Sequence, residues 1–121
     1  VLGRRKHYRH YFKEYAKGTI EISEIKNRKI VTKKAAILIK DICGNGLRFS
    51  TELRFLASDV IIYKFDFLLT NHDLSFHGKI VRRDQLQDGT YEYGVQFIEE
   101  HKFLTHIINK LSQKILRNSA S

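Results

Sequence analysis

A chain of 121 residues, 42% hydrophobic and 29% charged, has room for one core; it reads as a single globular domain over 1–121 and not as a disordered or low-complexity tract. Twenty-two Lys and Arg against thirteen Asp and Glu leave a formal charge of +9, which favours an anionic partner: a nucleotide, a nucleic acid or an acidic protein surface. No apolar run approaches the roughly 20 residues of a bilayer-spanning helix, the basic and aromatic start is unlike a signal peptide, and the one cysteine, Cys43, has no internal partner, so a cytoplasmic chain is expected.

Residues 1–16 are rich in Arg, Lys, His and Tyr without a clean period. They are read as an arm that is ordered by what it binds. From Gly18 the pattern alternates, with Ile20 and Ile22 on one face and Glu21 and Ser23 on the other, as in a half-buried strand, and Asn27-Arg28 supplies a turn. Lys29 to Lys40 is β-branched and aliphatic and reads as a strand that Asp41 to Gly46 breaks. Leu47 and Phe49 resume the alternation; a looser segment follows.

The clearest strand places Ile61, Tyr63, Phe65, Phe67 and Leu69 on one face. Asn71-His72-Asp73 turns the chain into Leu74, Phe76, Gly78 and Ile80, and Asp88-Gly89 turns it again into Tyr91, Tyr93, Val95 and Phe97, giving a three-stranded meander. After Glu100 the period becomes helical, with Leu104, Ile107, Ile108, Leu111 and Ile115 on one stripe. About six short antiparallel strands and one amphipathic helix imply an all-β small barrel over 17–99, closed to remove its edges, with a helix over 101–117.

Two short motifs carry the chemistry: Arg5-x-x-x-Arg9, preceded by Arg4, and Asp41-Ile42-Cys43-Gly44-Asn45-Gly46. In this order, together with Leu47-Arg48-Phe49, Phe76-His77-Gly78-Lys79-Ile80-Val81-Arg82 and Tyr93-Gly94-Val95-Gln96-Phe97, they make the chain resemble the PilZ domain family over nearly its whole length. The resemblance implies a six-stranded antiparallel β-barrel whose ligand is cyclic di-GMP, with Arg4, Arg5, Arg9, Asp41, Cys43 and Gly46 as ligand-binding residues. It implies no catalysis and no bound cofactor.

Those residue types suit such a ligand. A guanidinium offers a planar fork of donors to phosphate oxygens or to guanine O6 and N7, and it stacks on bases. An ionised carboxylate, acceptor-only, fits the N1 and N2 donors of guanine, which is the role expected of Asp41. Gly44 and Gly46 are expected to let the ligand approach main-chain N–H groups. Cys43 stands where the family usually has serine, and a thiol is the weaker hydrogen-bonding group.

Two other classes compete with this reading: a protein-interaction adaptor that keeps the barrel and has lost the nucleotide, and a basic RNA-binding module, since arginines interleaved with aromatics also suit phosphates and stacked bases. The arm motif and the Asp41 motif together favour the nucleotide and make nucleic acid the less expected partner. His7, His10, His72 and His77 are read as solvated and not as metal ligands, because no closed ligand set accompanies them. Beyond the ligand, the expected partner is an unidentified downstream protein. No membrane span is expected, and the chain is a monomer or a homodimer.

Overall fold

The computed structural model describes residues 9–99 and 102–120, with the side chains of 112–120 left aside. Among the described residues seven strands precede one helix: β1 (His10–Ile25), β2 (Arg28–Lys29), β3 (Ala35–Cys43), β4 (Gly46–Thr51), β5 (Ile61–Leu69), β6 (His72–Gln85), β7 (Tyr91–Phe97) and α1 (Lys102–Ala120). Every pairing is antiparallel, in the order β1-β3-β4-β7-β6-β5, and β5 returns to β1, so six strands close a barrel. The two-residue β2 extends the far end of β1.

Closure follows from the period-2 pattern of the strands. Ile61, Tyr63, Phe65, Phe67 and Leu69 of β5 are all buried, and Ile37, Ile39, Phe49, Phe76, Ile80, Tyr93, Val95 and Phe97 meet them inside. Phe49 stacks on Tyr93 with ring centroids 4.9 Å apart, and Phe76 stacks on Phe97 at 4.8 Å. Leu104, Ile107 and Ile108 of α1 join this core, with Leu111 beside it, and the helix lies against β1 and β3. Ile115 falls among the side chains left aside.

The segment between β4 and β5 is held by phenol groups. Tyr93 Oη donates to Leu53 O at 2.8 Å and accepts from Phe55 N at 2.7 Å, and Tyr63 Oη donates to Leu56 O at 3.0 Å. A loop without regular structure is thereby tied over the core at Leu53, Phe55 and Leu56.

Three boundaries differ from the sequence reading. β1 starts at His10, so residues 10–16 are strand and not arm. Their missing period comes from a bulge: Tyr11 pairs with Asp41 and Ala16 with Ile39, so four residues of β1 face Lys40 alone. The expected strand over Lys29–Lys40 begins at Ala35, because Ile30 to Lys34 instead runs back along β1, with Ile30 N donating to Ser23 O and Ile22 N to Thr32 Oγ1. Asp41 and Ile42 remain in β3, paired on both sides, with Cys43 paired to Gly46 of β4, and the turn is reduced to Gly44 and Asn45.

Two hairpin turns also sit one residue earlier than expected. Lys26-Asn27 and Thr70-Asn71 all have positive φ, between 47° and 67°, as tight two-residue hairpins require, and asparagine tolerates that region. Gly46 is glycine for a different reason. A Cβ there would lie 2.2 Å from Val95 O of the paired strand, inside van der Waals contact.

Gly46→Ala is therefore expected to lower stability by about 2 kcal/mol or more, since backbone must move to admit the methyl group. Urea unfolding of the two proteins measures this. A loss within experimental error would mean that β4 and β7 yield at no cost.

Candidate functional site

At the end of the barrel where β1 begins, three strands bring charge together. Asp41 is fully buried on β3, an unfavourable place for a carboxylate unless donors surround it. Arg9 Nη1 reaches its Oδ1 and Arg48 Nε, from β4, reaches its Oδ2, so both oxygens are engaged by guanidinium groups. The register makes this unavoidable: Tyr11 and Arg48 are the partners of Asp41 on either side, and Arg9 lies two residues before Tyr11.

A second carboxylate extends the cluster. Arg48 Nη1 donates to Glu92 Oε1 at 2.8 Å and Lys40 Nζ to Glu92 Oε2 at 2.5 Å, while Lys40 Nζ lies 5.4 Å from the centre of the Tyr15 ring. The hydrogen bond from Lys40, with its charge and those of Arg48 and Arg82, holds the Glu92 carboxyl below its ordinary value against the opposing effect of burial. The same bond raises Lys40. Burial works against the charge of Arg48, yet Asp41 and Glu92 outweigh it, and the guanidinium stays above its ordinary value.

Cys43 is buried beside Arg9. Its Sγ donates to Asn45 Oδ1 at 2.8 Å and accepts from Arg9 Nη2 at 3.4 Å, so the thiol takes part in orienting the guanidinium. Arg9 Nε is buried with no acceptor among the described residues. Asn45 O accepts from Phe97 N at 2.8 Å and ties the turn to β7.

Above the cluster lies an open groove of about 550 Å³ lined by Arg9, Tyr11, Arg48, Arg82 and Gly94, with Leu47, Val81 and Val95 as its apolar wall. Gly94 on β7 is the cross-strand partner of both Arg48 and Arg82, so a row of arginine, glycine and arginine crosses three strands with no side chain in the middle. That gap suits a flat group approached from both sides by guanidinium planes. Arg82 also holds Asp84 at 3.2 Å on the surface.

Of the residues selected from sequence, Arg9, Asp41 and Cys43 come together. Arg4 and Arg5 lie outside the described residues. Gly46 closes the hairpin after Cys43, where its role is the close approach to Val95; among the described residues Gly89 is the glycine with positive φ. The sequence reading missed Arg48, Arg82, Gly94, Lys40 and Glu92 as site residues. Arg48 was signalled by strand period alone, since it lies across the ladder from Asp41; Glu92 and Lys40 are polar residues of strands with no distinguishing motif.

His10, next to Arg9, is buried and meets Phe12 edge to face at 4.9 Å, and loss of hydration lowers its pKa. Its neutral form is favoured in the fold, so its contribution to stability is whole above the unfolded value near 6.5 and fades as the pH falls below it. Glu92 has the carboxylate case: its contribution is whole above 4.5 and is lost as the pH falls through its lower folded value. Stability measured by urea unfolding is expected to decline from pH 7.5 to 5, with His10 adding at most about 1.4 kcal/mol per pH unit. His10→Gln should flatten that part of the profile; an unchanged slope would assign it to other groups.

A family model described as "PilZ domain" matches residues 3–112 of the chain. Among curated proteins none matches it. Among solved structures, the inhibitor of motility MotI/DgrA of Bacillus subtilis is similar with a TM-score of 0.69 at 11% identity, covering 96% of this chain and 53% of that one. MrkH of K. pneumonia, in its complex with c-di-GMP, gives 0.63 at 17%, covering 99% and 55%. The PilZ domain of YcgR from Escherichia coli, solved with c-di-GMP, gives 0.54 at 11%, covering 98% of both chains. At these identities the likeness is one of fold, and this chain spans about half the length of the MotI and MrkH chains.

Proposed function

The chain belongs to the PilZ domain family, and from that premise and the cluster around Asp41 we propose that it is a receptor for cyclic di-GMP. The observation that carries this reading is a fully buried carboxylate held by two arginines beneath a groove whose wall adds a third. Cyclic di-GMP offers matching parts: two phosphates for the guanidinium groups, and two guanines whose N1 and N2 donors suit Asp41.

Binding on this reading is an exchange of donors. Each oxygen of Asp41 is engaged by one guanidinium, so a guanine edge that takes one oxygen competes with Arg9 or Arg48, and the group released turns to a phosphate or to the guanine face. Arg9 Nε, buried without an acceptor, gains one from a phosphate oxygen. Arg4 and Arg5 supply further cations from the arm, and the ligand joins arm to barrel. The arm so ordered creates or hides a surface for a downstream protein. The role is recognition with no reaction catalysed, in the cytoplasm; among the described residues no helix is long and apolar enough to cross a membrane.

The same pairing of Asp41 with two arginines favours a second reading, in which the ion pairs are purely structural and the barrel is an adaptor that no longer binds nucleotide. Calorimetry with cyclic di-GMP, GMP, cyclic di-AMP and a short RNA separates the readings. The parent is expected to bind cyclic di-GMP at tens of micromolar or tighter, and Arg9→Ala and Asp41→Ala each to weaken binding about tenfold to a hundredfold, the scale of a lost hydrogen bond to a charged group. Absence of binding by a folded parent would falsify the receptor and leave the adaptor; a preference for RNA would replace both.

A further inference from the structure

The other end of β1 carries a second concentration of charge that the nucleotide reading does not use. Between Lys26 and Lys34 the chain holds Lys26, Arg28, Lys29, Lys33 and Lys34 and no carboxylate. This stretch is fixed in place: Lys26 and Asn27 form the tight turn, Lys26 N donates to Val60 O at 2.9 Å, and the return strap is held by Ile30 N on Ser23 O at 3.0 Å and by Ile22 N on Thr32 Oγ1 at 2.9 Å. The carboxylates beside it are Glu24, in register with Lys29, Asp66, 3.6 Å from Lys34, Glu99, which lines one cavity with Glu24 and Lys29, and Asp59, next in sequence to the Val60 that Lys26 N reaches. They leave a positive excess. At the crest Val31 is 96% exposed, an apolar side chain held in solvent between cations.

We propose that this strap is a docking surface for an anionic lipid bilayer. Its composition discriminates among anionic partners. From Glu24 to Lys40 there is no aromatic residue, so the strap lacks the stacking groups with which single-stranded nucleic acid is held. A specific protein interface would centre on aromatic and arginine anchors and is usually poor in lysine, whereas four of these five cations are lysines. Hydrated ammonium groups on long stems need no fixed geometry and suit a diffuse layer of headgroups, into which Val31 can dip.

The position matters as much as the charge. Tyr11 pairs with Asp41 near one end of β1 and Ile25 pairs with Arg28 at the other, roughly 35 Å of strand apart even when the bulge is discounted. A bilayer contact at the strap therefore leaves the arginine groove open. The strap and the groove act through different residues, so either can fail in experiment without the other.

The test is co-sedimentation of the full chain with vesicles of equal parts phosphatidylglycerol and phosphatidylcholine, beside vesicles of phosphatidylcholine alone. The parent is expected to bind only the anionic vesicles and to be released in roughly 1 M salt, where the screening length falls to about 3 Å. Replacing Lys26, Arg28, Lys29 and Lys33 by Gln should weaken partitioning about fivefold per charge, enough to abolish sedimentation. The same replacement at exposed Lys17, Arg54, Lys102 and Lys110 should leave most of it, with thermal melting confirming that both variants fold. No binding by the parent, an equal loss in the two variants, or strap-dependent binding of polyuridylate or an acidic polypeptide in place of vesicles would overturn the proposal.

Discussion

A carboxylate with no exposure to water is the constraint around which this barrel end is arranged. Asp41 is paired on both sides, with Tyr11 of β1 and Arg48 of β4, so it cannot turn out to solvent without unzipping β1 or β4. Removing an ion from water costs several kcal/mol unless close donors compensate. The compensation comes from two guanidinium groups, one immediately before the first strand and one directly across the ladder. Fold and site are thus one problem, since the pairings that close the barrel also deliver the donors.

The same constraint explains the rest of the cluster. Two arginines on one carboxylate would leave excess charge in a partly buried place, and Glu92 takes up the second edge of Arg48. Lys40 then balances Glu92, and the bulge in β1 lets Tyr15 lie against Lys40. Charges alternate along a chain from Arg9 to Lys40, each satisfied by the next. Such a network is rigid while complete and responsive when one member is drawn away. A ligand with both donors and phosphates can draw on acid and base together, as a simple anion cannot.

Much of the barrel was legible in the sequence because strand period and burial agree there. The buried face of β5, the meander from β5 to β7 and the apolar stripe of α1 all follow from spacing. The errors lie where tertiary pairing overrides local pattern. Residues 10–16 look irregular because four of them face one partner, and Asp41 looks like a turn residue because aspartate is common in turns. The candidate site was half legible. Arg9, Asp41 and Cys43 stand in motifs and are neighbours in space, whereas Arg48, Arg82, Gly94 and Glu92 become neighbours only through the register of β3, β4, β7 and β6. A cross-strand ladder cannot be read until strand order is known. Gly46 was selected as a ligand-binding residue, whereas the structure accounts for the glycine by the Val95 carbonyl opposite it.

The proposed exchange of donors on Asp41 is best followed at the guanidinium groups themselves. Side-chain nitrogen resonances of Arg9 and Arg48, assigned by substitution of each arginine, can be recorded during titration with cyclic di-GMP. Both sets are expected to shift and to saturate at the same ligand concentration, because both arginines donate to the one carboxylate at which the exchange takes place. Arginine signals that stay in place while the ligand is present in large excess would contradict a ligand-binding role for the cluster.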